Sequence, residues 1–295
     1  MKARFIRILS SLISALIVAK LLATLTLSAA ERAGGHLVII GGGSRPINVT
    51  QRFIQLAGGG AAACLVVIAL ASEDVDTTAQ HTVEEFKTLG VSRVEALPAA
   101  PEEAARVLRQ ATGVYLTGGD QQRLVDELAR MKALGALHEV WRRGGVIAGT
   151  SAGAAVMSAR MITGEERGLA TEDERFRSIQ SGRIATTNGF GFLTNAIVDQ
   201  HFIARKRSNR LFSVVLEQPQ LLGIGIDEST AVIVGPDQCC EVLGDRSVMV
   251  IDARHAGPVH MNGDGRLAVT DLRVHLLVSG DRFDLNRGRP IPSHK

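Results

Sequence analysis

Beyond residue 35 the apolar positions fall into two alternating patterns. His36-Leu37-Val38-Ile39-Ile40 runs without a break into Gly41-Gly42-Gly43, and residues 64–70 repeat the design of a strand-length apolar run closed by small residues. Runs apolar on every residue suit strands buried on both faces of a parallel sheet. Between them, residues 48–56, 77–89 and 102–110 carry apolar side chains at helical spacing. The βαβα alternation predicts an α/β fold, a doubly wound, mostly parallel sheet sandwiched by helices.

The pattern continues with Val114-Tyr115-Leu116-Thr117, which enters Gly118-Gly119-Asp120-Gln121 and then an amphipathic helix over 122–137. A strand at 146–148 leads into Gly149-Thr150-Ser151-Ala152-Gly153 and a small-residue helix over 152–159. Residues 165–185 are polar with little periodicity, which predicts a long surface loop over the site. Strands are expected at 196–199, 223–226, 231–234, 248–251 and 272–278, with a helix at 210–217. No repeat or linker divides residues 31–295, so they read as one domain.

The first thirty residues differ. Lys2, Arg4 and Arg7 precede an apolar stretch over 8–19, Lys20, a second apolar stretch and Ser28-Ala29-Ala30. This is the layout of a secretory signal peptide cleaved near Ala30, and Lys20 argues against a stable membrane span. Export to the periplasm or the outside follows as the expected localisation. Composition sharpens the point: the chain has net charge +3, yet without this segment it holds 29 basic against 30 acidic residues. The basicity belongs to the leader, which speaks against a nucleic-acid partner. Cys64, Cys239 and Cys240 make no disulfide framework and have no zinc-ligand spacing, so no metal is implied. The adjacent pair reads as two free thiols, a strained vicinal disulfide being the alternative.

The segment 149–153 matches G-x-S-x-G after a strand and before a helix, the context of a nucleophile elbow, which nominates Ser151. A serine hydroxyl needs a base. Among eight histidines, His201 follows an apolar strand in Val198-Asp199-Gln200-His201-Phe202, at the carboxyl end where parallel sheets place their sites. The Ala152 N–H is expected to bind the oxyanion, with Gly119 or Gly118 as second donor. Four cations, Arg205, Lys206, Arg207 and Arg210, fall within six residues shortly after the base, and guanidinium forks suit substrate carboxylates.

Together with Gly42-Gly43-Ser44-Arg45-Pro46-Ile47, Met161-Ile162-Thr163-Gly164 and Gly225-Ile226-Asp227-Glu228, these segments resemble the cyanophycinases, in the serine peptidase family that also contains the α-aspartyl dipeptidases. The resemblance covers nearly all of 35–280. It implies a fold like that of class I glutamine amidotransferases, a homodimer, and hydrolysis of multi-L-arginyl-poly-L-aspartate to β-aspartyl-arginine through an acyl-enzyme without a cofactor. Ser151 would be nucleophile and His201 base. Arg205, Arg207 and Arg210 would hold aspartyl carboxylates, Gln121 and Gln200 would bind substrate, and Asp199 would meet a guanidinium or orient its neighbours. Counting along the dipeptidase pattern puts the catalytic acid at Glu166, with Glu165, Glu172, Glu174 and Glu228 as open alternatives. Competing readings are a dipeptidase acting on small aspartyl dipeptides and an exported, non-catalytic binding protein. A glutaminase would carry cysteine at the elbow.

Overall fold

Five strands pair in parallel along one side of a nine-stranded sheet: β1 (His36–Ile40), β2 (Cys64–Ile68), β3 (Arg93–Ala96), β4 (Gly113–Leu116) and β5 (Val146–Thr150), in the order β1-β5-β4-β2-β3, with β3 at the sheet edge. The computed structural model describes residues 34–168 and 177–292. The chain divides into two units, Met1–Gly34 and Gly35–Lys295, and the second carries everything below. The expected signal peptide, residues 1–30, lies outside the described residues, as do 169–176 of the expected loop. No helix among the described residues is long and apolar enough to cross a membrane.

Alternation along the central strands builds two cores at once. Leu37, Ile39, Val66 and Ile68 face one side of the sheet, and Val38, Ile40, Leu65 and Val67 face the other. Each side is covered by helices: α1 (Ile47–Leu56), α2 (Val75–Thr88), α3 (Pro101–Gln110), α4 (Gln121–Arg130) and α5 (Leu134–Arg142). Their starts are chemically marked. Asp74 and Asp120 accept hydrogen bonds from Thr77 N (3.0 Å) and Arg123 N (2.8 Å), caps worth about 1 kcal/mol each. Pro101 opens α3 at a position where its missing N–H costs nothing.

The helix expected over 122–137 is two helices, broken at Lys132, whose φ is 53°. In one straight helix Leu137 would lie about 220° around the axis from Leu124. The break lets Leu124 and Leu128 and then Leu137 and Val140 all reach the same core. After the short helix α6 (Ala152–Ala155), β6 (Arg160–Glu166) and β7 (Ile184–Asn188) form a hairpin that the polar composition of 165–185 conceals.

β8 (Ala196–Gln200) and β9 (Leu222–Ile226) pair in parallel across helix α7 (Ser208–Glu217) in a second sheet. β10 (Thr230–Val234) and β11 (Cys239–Gly244) return to the first sheet beside β1, antiparallel, while β12 (Val248–Asp252) pairs with β9. A small hairpin, β13 (His260–Met261) and β14 (Leu267–Ala268), precedes β15 (Arg273–Leu277) at the edge of the second sheet, and β16 (Arg282–Asp284) and β17 (Arg289–Ile291) extend the first. Cys239 and Cys240 are free and consecutive on β11, so their side chains point to opposite faces of the strand. Burial pushes the Cys240 thiol up to about 12.

Candidate active site

The strand order places β5 between β1 and β4, so the carboxyl ends of all three converge. Ser151 therefore stands between the turn 41–43 and the turn 118–119. Its φ of 53° and ψ of −110° lie far from relaxed backbone for a residue with a side chain, a strain of about 1–3 kcal/mol that the surroundings must hold. The flanking glycines allow the tight turn: a Cβ on Gly149 would meet Gly153 O at 2.3 Å, and one on Gly153 would meet Leu116 O at 2.4 Å.

His201 follows β8, with φ 48°. Its Nδ1–H donates to Glu228 Oε1 (2.7 Å), which leaves Nε2 to accept the Ser151 hydroxyl proton (Nε2···Oγ 3.0 Å). Glu228 reaches this place because β8 and β9 run parallel in the register Gln200–Ile226. His201 sits one residue past β8 and Glu228 two past β9, on the turn that carries the chain from the second sheet to the first. The carboxylate on the histidine is thus Glu228, one of the open alternatives, and not Glu166. Glu166 ends β6 and lines a separate cavity with Arg177, Arg183 and Arg266; counting residues from Ser151 does not foresee that the β6–β7 hairpin leads the chain away.

The turn 41–43 is the common reference for all three groups. Ile40 C=O accepts from Ser151 N (3.1 Å), Gly41 C=O from His201 N (2.7 Å) and Gly42 C=O from Ser229 N (2.9 Å), next to Glu228. Gly42 (φ 103°) also underlies the imidazole, since a Cβ there would fall 2.4 Å from Cε1 and Nε2 of His201. Along the chain these glycines read only as a strand-ending turn. The one signal of a larger role is that three stand together at the carboxyl end of the first strand.

The N–H groups of Ala152, Gly118 and Gly119 take no hydrogen-bond partner among the described residues. A Cβ on Gly118 would be 3.9 Å from Ser151 Oγ, whereas one on Gly119 would run into Ala71 O at 2.0 Å. On its Cβ side Gly118 therefore faces the serine and Gly119 packs against the neighbouring loop, which leaves both N–H groups as candidates for the second donor.

The cations separate into different positions. Arg210 is buried, and its fork closes on Asp199, with Nε to Oδ2 at 2.7 Å and a second bond from Nη2 to Oδ1. Asp199 Oδ1 also accepts from Gln200 N (2.8 Å). That pair braces the segment carrying His201: Asp199 orients its neighbours, one of its two expected roles, and Arg210, expected on a substrate carboxylate, engages a carboxylate of the chain itself. Arg207 Nη1 donates to Gln200 O at 2.7 Å and also to Gln200 Oε1, while Arg205 is exposed. Gln121 Nε2 donates to Ile162 O (3.3 Å) and to Thr163 O, tying the site's rim to β6.

Burial holds the His201 pKa below its usual 6.5, opposed by the hydrogen bond to Glu228 and reinforced by the charges of Arg205 and Arg207. The imidazole is accordingly neutral near pH 7, as a base must be. A buried imidazole between a serine hydroxyl and a carboxylate is equipped for proton transfer to and from an attacking oxygen.

The sequence model of peptidase family S51 matches residues 37–242. A cyanophycinase of Trichormus variabilis is 33% identical over 270 residues, covering 87% of this chain and 88% of its own. One of Synechococcus elongatus is 34% identical over 264 residues, 85% and 79% of the two chains. The crystal structure of a peptidase from an acI-B1 Actinobacterium superposes with TM-score 0.58 at 23% identity, over 86% of this chain and 98% of that one. It shares the α/β fold.

Proposed function

The chain belongs to peptidase family S51, and from that premise we propose that this peptidase is a serine exopeptidase that degrades cyanophycin to β-aspartyl-arginine dipeptides. The observation that carries the chemistry is the chain of contacts from Ser151 Oγ to His201 Nε2 (3.0 Å) and from His201 Nδ1 to Glu228 (2.7 Å). The substrate comes from the relatives, cyanophycinases at 33–34% identity over most of both chains.

In the proposed reaction Ser151 Oγ attacks a backbone carbonyl carbon of the aspartate chain while His201 Nε2 takes the hydroxyl proton. Glu228 holds the ring in the required tautomer and offsets the positive charge it gains. The carbonyl oxygen becomes an oxyanion within reach of the Ala152 and glycine-turn N–H groups. Collapse breaks the C–N bond, and His201 returns the proton to the leaving amine. Water, deprotonated by the same histidine, then adds to the ester carbon and releases Ser151. Each proton taken is given back, so the enzyme is restored. In this reading Arg205, which is exposed, meets a substrate carboxylate, and Arg207, hydrogen-bonded to Gln200, orients that side chain.

The test is incubation with insoluble cyanophycin and with α- and β-aspartyl dipeptides, products being identified by mass. Clearing of the polymer with release of β-aspartyl-arginine is expected, and Ser151→Ala should abolish it with the fold intact. Turnover retained in that variant would sink the mechanism; turnover of dipeptides alone would move the assignment to the dipeptidases. The leader composition supports export, to be checked by the mature amino terminus of the protein recovered outside the cytoplasm.

A further inference from the structure

A cavity of about 610 Å³ lies beside the β6–β7 hairpin, and its lining includes Arg177, Arg183, Arg266, Ser178, Asn209 and Glu166. Its volume is that of a ligand site. Its walls are tied together from several elements. Gln180 N donates to Ser213 Oγ on α7 (3.1 Å), Gln180 Nε2 to Asp264 O (2.6 Å), Ser181 N to Gly265 O (3.0 Å) and Leu267 N to Ile179 O (3.1 Å). The turn 178–183 and the β13–β14 hairpin are thereby held against the helix that follows His201.

The charge is unusual for this protein. Residues 31–295 carry 29 cations against 30 anions, yet three guanidinium groups and one carboxylate line this cavity. Arg183 is engaged with Arg167 O (3.0 Å), Gly168 O and Gln180 Oε1 (3.1 Å). Arg177 and Arg266 are exposed and have no ion pair among the described residues. Two available guanidinium forks over a preformed hollow suit a carboxylate.

The cavity is also joined to the rim of the active site along β6. Gln121 joins the rim of the site to Thr163 of β6, and Glu166 is three residues further on. At about 3.3 Å per strand residue this is at most roughly 10 Å beyond the rim, the length of about three residues of an extended aspartyl chain.

From this we propose that the cavity is a distal subsite of the same enzyme, in which Arg177 and Arg266 hold a carboxylate of the polymer about three residues beyond the rim of the active site. It rests on the cyanophycin reading. Its effect is on polymer capture and not on the bond-breaking step, because Ser151, His201 and Glu228 are not among the residues that line it.

The test is co-sedimentation of full-length Ser151→Ala protein with insoluble cyanophycin, with and without Arg177→Glu and Arg266→Glu together. The reversed pair should bind the polymer at least tenfold more weakly, the neutral pair Arg177→Gln with Arg266→Gln should fall between, and Arg106→Glu with Arg109→Glu on α3 should match the parent. With Ser151 intact, the reversed pair should raise KM on the polymer about tenfold and leave kcat within twofold. Equal binding by parent and reversed pair, with polymer still cleared by the Ser151 enzyme, would overturn the subsite and leave the activity standing. If the Ser151 enzyme clears no polymer and the parent does not sediment with it, the cyanophycin reading fails and takes the subsite with it.

Discussion

Replacing Gly42 by alanine tests how the catalytic groups are held in register. The added Cβ would lie 2.4 Å from Cε1 and Nε2 of His201, whereas carbon contacts relax at about 3.5–4.0 Å. The ring must withdraw by about 1 Å or the turn must move. Neither is neutral. Withdrawal stretches the 3.0 Å Nε2···Oγ contact beyond hydrogen-bonding range and pulls against the 2.7 Å bond to Glu228. Movement of the turn drags the carbonyls that hold Ser151 N, His201 N and Ser229 N. A misplacement of about 1 Å costs on the order of 10²-fold in rate, equivalent to about 2.7 kcal/mol. Alanine at φ 103° also carries backbone strain of about 1–3 kcal/mol in stability. Gly90→Ala separates the two effects, because Gly90 has φ 87° and a Cβ added there would meet nothing within 4 Å. Steady-state kinetics on cyanophycin together with thermal melts should show both variants destabilised, with kcat lost only in Gly42→Ala. If Gly42→Ala keeps kcat within threefold of Gly90→Ala, the imidazole does not depend on that platform and the reasoning is refuted.

His201 must be neutral to act as base, and burial sets its pKa below 6.5, so the acid limb of the kcat/KM profile should lie below pH 6.5. Glu228→Gln removes the contact that raises this pKa and should shift the limb lower still, while the plateau falls on the order of 10²–10⁴-fold; Arg205→Gln should shift the limb upward. Movement of either limb in the opposite direction would contradict the electrostatic account. Arg210→Met strands the buried Asp199 carboxylate and should cost about 3–5 kcal/mol in denaturant unfolding, and Asp199→Leu with Arg210→Met should recover most of it. A single Arg210→Met protein of unchanged stability but weakened substrate affinity would instead make Arg210 a substrate contact.

Much of the fold is legible along the chain because each central strand must bury both faces. The runs at 36–40 and 64–70 therefore announce themselves without reference to any partner. β3 is less visible, since Arg93 and Glu95 interrupt its apolar pattern and it lies at the edge of the sheet. β6 and β7 each bury only a short apolar pair, Met161-Ile162 and Ile184-Ala185, among polar residues, and they pair with each other outside both large sheets. The helix pair α4–α5 escapes a simple periodicity reading because the backbone reversal at Lys132 resets the helical phase.

The site divides in the same way. Ser151 and His201 are local features, an elbow after one strand and a histidine after another, and short-range sequence suffices to nominate them. The linear pattern also establishes the α/β class and the charge of the segment after the base. Glu228 has the same local signature as His201, an apolar strand followed by a polar group, but its choice over Glu166 depends on β8 and β9 lying side by side in register. Likewise, only the folded chain turns Arg210 inward onto Asp199 and brings Gly42 beneath the imidazole. Strand pairing brings together residues far apart in the chain, and hydrophobic periodicity tells which face of a strand is buried without telling which strand lies beside it.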